Sequence, residues 1–266
     1  MQKIFESWES FSSAVFSASY VLLLSDYDGT LTPIVDRPQD ALLSRGMRTK
    51  LRTLANHPSF SVGIISGRSL SEIKGMVGIK GIYYAGNHGL DIDGPDLSYI
   101  NPQAREAQSI IKDISRKLIE KLLDIDGVII EDKDLSLSVH YCLVEERQVK
   151  LVVDRFHQLT SPEIDYGKIR IGSGKKVLEV RPPVDWHKGK ATEKIVKKIE
   201  KVIGDKMKKY IYLGDDSTDE NAFKVIRRLR GWSIFGGPAD SSSKVEYCLE
   251  SVLEVETFLT RLFQLK

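Results

Sequence analysis

Three short apolar runs in this chain end in groups that could do chemistry. Val21-Leu22-Leu23-Leu24-Ser25 leads into Asp26-Tyr27-Asp28, and Val62-Gly63-Ile64-Ile65 leads into Ser66-Gly67-Arg68. Tyr210 to Leu213 leads into Gly214-Asp215-Asp216, with Asp219 following closely. Apolar runs of this length read as buried strands, and ligands of an open parallel sheet collect beyond the C-terminal ends of its strands. Asp26, Asp28, Asp215, Asp216 and Asp219 would then gather at one edge, where they repel one another unless a cation sits among them. Oxygen ligands, with no His or Cys at ligand spacing, point to Mg²⁺ rather than zinc. One acidic pair alone would be read as a turn or a helix cap. Three coincident strand ends would not.

Rival motifs fail on spacing. Asp26-Tyr27-Asp28-Gly29 echoes a calcium loop, but its glycine comes too early and a buried strand precedes it. Gly189-Lys190-Ala191-Thr192 lacks the upstream glycine of a phosphate-binding P-loop. Gly172-Ser173-Gly174 has no third glycine and is expected to turn a hairpin between Lys168–Ile171 and Lys175–Arg181. The basic run Lys194, Lys197, Lys198, Lys201, Lys206, Lys208 and Lys209 is interspersed with acids and reads as a solvated face.

The elements that must carry these groups alternate between short strands and helical stretches, the mark of a parallel sheet with covering helices. Ile4, Phe5, Trp8, Phe11 and Val15 recur at helical spacing, and residues 41–56 form a helix with Leu42, Leu43, Met47, Leu51 and Leu54 on one face. A short helix from Ser69 to Val77 precedes a strand from Gly81 to Ala85, which leads into Asn87-His88-Gly89. After Pro102 the rhythm changes to helix, two strands, helix, two strands, ending at Pro182-Pro183. The first rhythm then resumes with a helix over 187–203, a strand from Tyr210, and a helix capped by Ser217 or Thr218. A strand from Trp232 to Phe235 and a closing helix from Ser251 to Phe263 follow. The fold class expected is α/β, a Rossmann-like parallel-sheet core formed by residues 1–102 and 183–266. Residues 103–182 are an inserted α+β cap.

Length and composition agree. The 266 residues suit one large domain or two smaller ones, and 41% hydrophobic with 29% charged residues allows a sizeable core. A net charge of +2 marks no nucleic-acid binder. Cys142 and Cys248 form no disulfide framework, which favours a reducing compartment. Tyr20 to Leu24 is far too short to span a membrane, and Glu6, Trp8 and Glu9 interrupt any signal-peptide core. A cytoplasmic monomer acting on a small molecule is the expectation, with neither nucleic acid nor membrane as partner.

The motifs taken together resemble those of the haloacid-dehalogenase-like phosphohydrolases. Asp26-Tyr27-Asp28-Gly29-Thr30-Leu31 matches the first motif of that family, Ser66 the second, Lys188 in Trp186-His187-Lys188-Gly189 the third, and Gly214 to Glu220 the fourth. More narrowly, the chain is similar to trehalose-6-phosphate phosphatases across nearly its whole length. That likeness rests on Ile65-Ser66-Gly67-Arg68, Asn87-His88-Gly89, Glu131-Asp132-Lys133, Ser138-Val139-His140-Tyr141 and Gly174 to Pro182. Asn87 departs from the family, which more often places Glu before His-Gly.

The resemblance implies a sugar-phosphate substrate and a catalytic set of Asp26 as nucleophile, Asp28 as general acid and base, and Ser66 and Lys188 as phosphate ligands. It implies Mg²⁺ held by Asp26, Asp28 (through its carbonyl), Asp215, Asp216 and Asp219. Substrate binding would fall to Arg68, Asn87, His88, Glu131, Lys133, Lys176, Glu179 and Arg181. The alternatives are a related phosphatase of sucrose phosphate or a glycosyl-3-phosphoglycerate, and a silent regulatory partner of the synthase. Intact Asp26, Asp28, Ser66, Lys188 and Asp215 argue against silence.

Overall fold

Alternation along the strand Tyr20–Ser25 explains how the core divides. Val21 and Leu23 enter one apolar cluster, while Tyr20, Leu22 and Leu24 enter another, so this buried strand feeds both faces of its sheet. The computed structural model describes every residue except 36, 175, 238–242 and 244. Among the described residues a nine-stranded sheet runs in the order Gln2–Lys3, Tyr247–Leu249, Trp232–Gly236, Lys208–Gly214, Tyr20–Ser25, Phe60–Ile65, Tyr83–Gly86, Asp91–Gly94, Leu97–Ile100. The pairings from Gln2–Lys3 through Tyr83–Gly86 are all parallel. Asp91–Gly94 then pairs antiparallel with Tyr83–Gly86.

Helices cover both faces. Phe11 and Val15 of Trp8–Ser17, Met47, Leu51 and Leu54 of Arg45–Ala55, and Phe258 of Val252–Phe263 pack on one side. Ile195 and Ile199 of Lys188–Ile203 and Phe223 of Glu220–Arg228 pack on the other. The chain divides into two compact units, one of residues 1–99 and 186–266, the other of residues 100–185.

The smaller unit shows helix, two strands, helix, two strands: Pro102–Leu122, Ile129–Asp132, Leu137–His140, Glu146–Asp165, Arg170–Gly174 and Val177–Arg181. Its four strands are antiparallel, ordered Ile129–Asp132, Leu137–His140, Val177–Arg181, Arg170–Gly174. Leu137, Val139, Leu178 and Val180 face its apolar core with Ile111, Leu118 and Phe156 of the two helices.

Several local expectations shift. Gly172-Ser173-Gly174 is strand, paired with Val177, Leu178 and Glu179, so it does not turn the hairpin. Lys175, which was placed at the start of the next strand, lies outside the described residues. The helix expected over 41–56 begins at Arg45, capped by the Ser44 hydroxyl, and leaves Leu42 exposed. Asp216, not Ser217 or Thr218, caps the turn Ser217–Asp219 ahead of Glu220–Arg228, because its carboxylate accepts the Thr218 N–H at 2.8 Å. No helix among the described residues is long and apolar enough to cross a membrane.

Candidate active site

The strand register brings the chemistry-bearing ends together. Ser25 lies level with Ile64 on one side and Leu213 on the other, so Asp26, Ser66 and Asp215 follow at one sheet edge. The Asp26 N–H continues the ladder by donating to the Leu213 carbonyl at 2.8 Å.

Lys188 is the centre of this edge. It opens the helix Lys188–Ile203, is 2% exposed, and reaches Asp26 Oδ2 at 2.8 Å and Asp219 Oδ1 at 2.9 Å. A cation at a helix N-terminus opposes the dipole, and a buried one needs partners. Asp26 and Asp219 supply them. Burial alone would push the ammonium's pKa down, but Asp219 and Asp26 outweigh it and hold the pKa above its ordinary value.

Asp219 is 0% exposed and saturated with donors. Its Oδ1 also accepts from the Tyr212 hydroxyl at 2.7 Å, and its Oδ2 from the N–H groups of Asp215 and Asp216 at 3.2 and 3.3 Å. It therefore anchors both Lys188 and the loop that carries the two neighbouring acids. Asp215 accepts from the Thr30 hydroxyl at 2.9 Å. Gly29, at φ +84°, passes so close that a Cβ would lie 2.0 Å from Asp215 Oδ2, which is why this position takes glycine.

The surplus of negative charge shows in the acidities. Burial raises the Asp26 carboxyl well above its ordinary value, Lys188 opposes this, and Asp219 and Asp215 add to it. Burial, with help from Asp219, pushes Asp215 up to about 7. Burial works against the charge of Asp216 as well, but Lys188 and the Thr218 hydroxyl hold its carboxyl below the usual range. Asp26, Asp216 and Asp219 each place one oxygen within 4.8 Å of the others. Hard oxygen donors with more negative charge than Lys188 can balance fit a divalent cation such as Mg²⁺.

Ser66 is fully buried, and its Oγ accepts the Arg68 N–H at 3.1 Å, leaving its hydroxyl hydrogen to donate elsewhere. Arg68, expected to face substrate, instead binds both oxygens of Asp28, the Pro38 carbonyl at 2.7 Å and Glu72. Asn87 is buried and donates to Asp91 Oδ1 at 3.4 Å, while His88 follows it in the turn beside the Ser66–Arg68 loop.

In the smaller unit, Glu131 and Glu179 both lie level with Ser138, and Glu179 lies level with Gly172 on its other side. Lys133, 8% exposed, sits 3.6 Å from Glu131 and 3.9 Å from Glu179. Arg181 Nε donates to Glu179 at 2.8 Å, and His140 pairs with Glu131 at 2.9 Å. One sheet face thus alternates carboxylates with small residues. Lys176 stands apart at the hairpin end, paired with Glu146 at 3.3 Å.

The catalytic-edge residues to which the sequence assigned no role are Thr30 and Tyr212; on the smaller unit's sheet they are Ser138 and His140, which entered only as part of a family segment. Tyr212 carried a usable signal: a tyrosine inside a buried strand needs a partner for its hydroxyl. Thr30 lies inside the first motif, but the sequence does not name its partner, which lies far along the chain.

A trehalose-phosphatase family model matches residues 24–250, which takes in the whole carboxylate edge and the smaller unit. The chain belongs to the trehalose-phosphatase family. It is 35% identical over 256 residues to a probable trehalose-phosphate phosphatase D of Arabidopsis thaliana, covering 92% of this chain and 68% of that protein. A probable trehalose-phosphate phosphatase 4 of rice, Oryza sativa subsp. japonica, is 36% identical over 251 residues, covering 92% of this chain and 66% of its own length. The chain thus spans about two thirds of the length of these relatives. Among solved structures, the C-terminal domain of the C. albicans trehalose-6-phosphate phosphatase superposes with a TM-score of 0.77 at 24% identity, covering 97% of each chain. That likeness supports the α/β fold of this trehalose-phosphatase family member.

Proposed function

We propose that this chain hydrolyses trehalose 6-phosphate to trehalose and phosphate through a phosphorylated Asp26. The observation that carries this reading is the contact of Asp26 with a buried Lys188 in a family member whose named relatives are trehalose-phosphate phosphatases. The Lys188 ammonium at 2.8 Å favours the charged form of Asp26 against its burial and holds the carboxyl group in place to take a phosphoryl group.

A phosphate monoester resists attack because its own charge repels nucleophiles, so the site must neutralise, align and protonate. Lys188 and the Ser66 hydroxyl hold phosphate oxygens. An Asp26 oxygen attacks phosphorus as the bond to the sugar oxygen breaks, and Asp28 gives its carboxyl proton to that oxygen. Water then attacks the phosphoryl-Asp26, Asp28 takes the water proton, and the phosphorus–Asp26 bond breaks. Asp26, Asp215 and Asp216, with the Asp28 carbonyl, would hold Mg²⁺, while Asp219 braces the loop. When bound, the ion neutralises phosphate charge and lowers repulsion between the anionic nucleophile and its target.

Glu131, Lys133, Glu179 and Arg181 recognise the sugar. Hydroxyl groups need donors and acceptors side by side, and this face offers both in fixed pairs. Acid quenching during turnover of radiolabelled substrate should leave hydroxylamine-labile phosphate on the chain, and none on Asp26→Asn. Turnover with no such label at any time overturns the covalent route.

A further inference from the structure

The mechanism above gives no role to the turn Asn87-His88-Gly89, yet its backbone is unusual. All three residues lie in the left-handed region, at φ 50°, 56° and 93°. Asn and His are among the few non-glycine residues that accept that region, and here two of them follow one another in it. The Asn87 N–H donates to the Arg68 carbonyl at 2.7 Å and the His88 N–H to the Ser66 carbonyl at 2.8 Å. Both bonds land on the loop that carries Ser66.

Two close approaches complete the picture. The His88 ring lies over Gly67, where a Cβ would sit 2.7 Å from the ring's Cε1. On the opposite side Gly89 lies against the helix that Lys188 opens, where a Cβ would sit 2.3 Å from the Cβ of Ala191. The turn therefore touches both elements that present phosphate ligands.

We infer that this turn is a wedge setting the spacing of Ser66 and Lys188, and that His88 is a positioning residue rather than a sugar ligand. The inference rests on the phosphatase reading, in which those two groups engage the phosphate. Ser66 lies just past its strand, with its N–H still bonded to the Ala85 carbonyl at 2.9 Å, and Lys188 begins a helix from a distant part of the chain. Neither element by itself fixes the gap between them. A brace hydrogen-bonded to one and packed on the other does.

The test compares trehalose 6-phosphate with p-nitrophenyl phosphate, which has no sugar. His88→Asn tolerates the left-handed backbone but withdraws the ring from Gly67, whereas His88→Val resists that backbone. His88→Asn should lose about tenfold in kcat/KM on both substrates alike, since misplacements well under 1 Å matter to alignment. Inhibition by inorganic phosphate should weaken in parallel, with the melting temperature of His88→Asn unchanged within a few degrees. His88→Val should lose more, and if it does not fold, His88→Asn decides. A loss confined to trehalose 6-phosphate makes His88 a sugar ligand and overturns the inference. A lowered melting temperature with unchanged kcat and phosphate inhibition makes the turn mere scaffold and overturns it too. If the unaltered chain hydrolyses neither ester, the phosphatase reading falls and takes this inference with it. If the unaltered chain hydrolyses both and His88→Asn matches it, this inference alone falls.

Discussion

Arg68 grips Asp28 with two nitrogens, Nε donating to Oδ2 at 2.8 Å and Nη2 to Oδ1 at 2.6 Å. The guanidinium is itself fixed by the Pro38 carbonyl and by Glu72, one turn along its own helix start. Asp28 is therefore held in one orientation by a planar fork whose own position is determined. In the proposed reaction Asp28 must carry a proton to the sugar oxygen and later take one from water, so its direction matters as well as its protonation.

Arg68→Lys keeps the charge and loses the fork. About a tenfold lower kcat is expected on trehalose 6-phosphate, with a smaller loss on p-nitrophenyl phosphate, whose leaving group needs no proton from Asp28. Steady-state rates on the two substrates check this. An unchanged kcat on both would mean that Arg68 does not orient the acid.

Asp28→Asn removes the proton carrier but leaves Asp26, Lys188 and Ser66 in place. Turnover of trehalose 6-phosphate should fall roughly 10²–10⁴-fold. The loss should be smaller on p-nitrophenyl phosphate, whose leaving group departs without a proton. Equal losses on the two esters would count against Asp28 as the general acid.

Lys188→Met strands two buried carboxylates, Asp26 and Asp219, without their shared cation. Breaking a buried pair from one side costs about 3–5 kcal/mol. Urea unfolding of this variant should show that loss at neutral pH, and adding Asp219→Asn to it should recover part. A stability equal to the unaltered chain would show that the pair contributes nothing to folding.

The fold and the site differ in how far the sequence alone reveals them. The strands at Tyr20, Phe60 and Lys208 are legible because apolar runs buried on both faces leave no other reading. Asp91–Gly94 and Leu97–Ile100 are not legible, since short strands near the sheet's margin with polar and turn residues look like loop. Gly172 and Gly174 signal a turn by type, yet cross-strand pairing to Val177 and Glu179 overrides that local preference. At the site, Asp26 and the acids from Asp215 to Asp219 can be read from their places at strand ends, and Lys188 from the family resemblance. The pairing of Arg68 with Asp28, and the hydrogen bonds of Thr30 and Tyr212, depend on which strands become neighbours. Only the folded register supplies that.

Glu131→Ala, Lys133→Ala and Arg181→Ala each remove one polar partner from the smaller unit's polar sheet face. Each charge-assisted hydrogen bond to a sugar hydroxyl is worth ~1.5–3 kcal/mol, or roughly one to two powers of ten in kcat/KM. That loss should appear on trehalose 6-phosphate and be nearly absent on p-nitrophenyl phosphate. Equal losses on both would point to damaged folding and against sugar recognition by this face.

The most direct test is phosphate release by the purified chain from trehalose 6-phosphate, sucrose 6-phosphate, a glycosyl-3-phosphoglycerate and glucose 6-phosphate, each with Mg²⁺ and with EDTA. Hydrolysis of trehalose 6-phosphate far above the other three, abolished by EDTA and restored by Mg²⁺, is the expected result. Equal rates on all four esters would contradict the disaccharide assignment. Full activity in EDTA would contradict a cation among Asp26, Asp215 and Asp216, and no release from any ester would contradict the phosphatase reading itself.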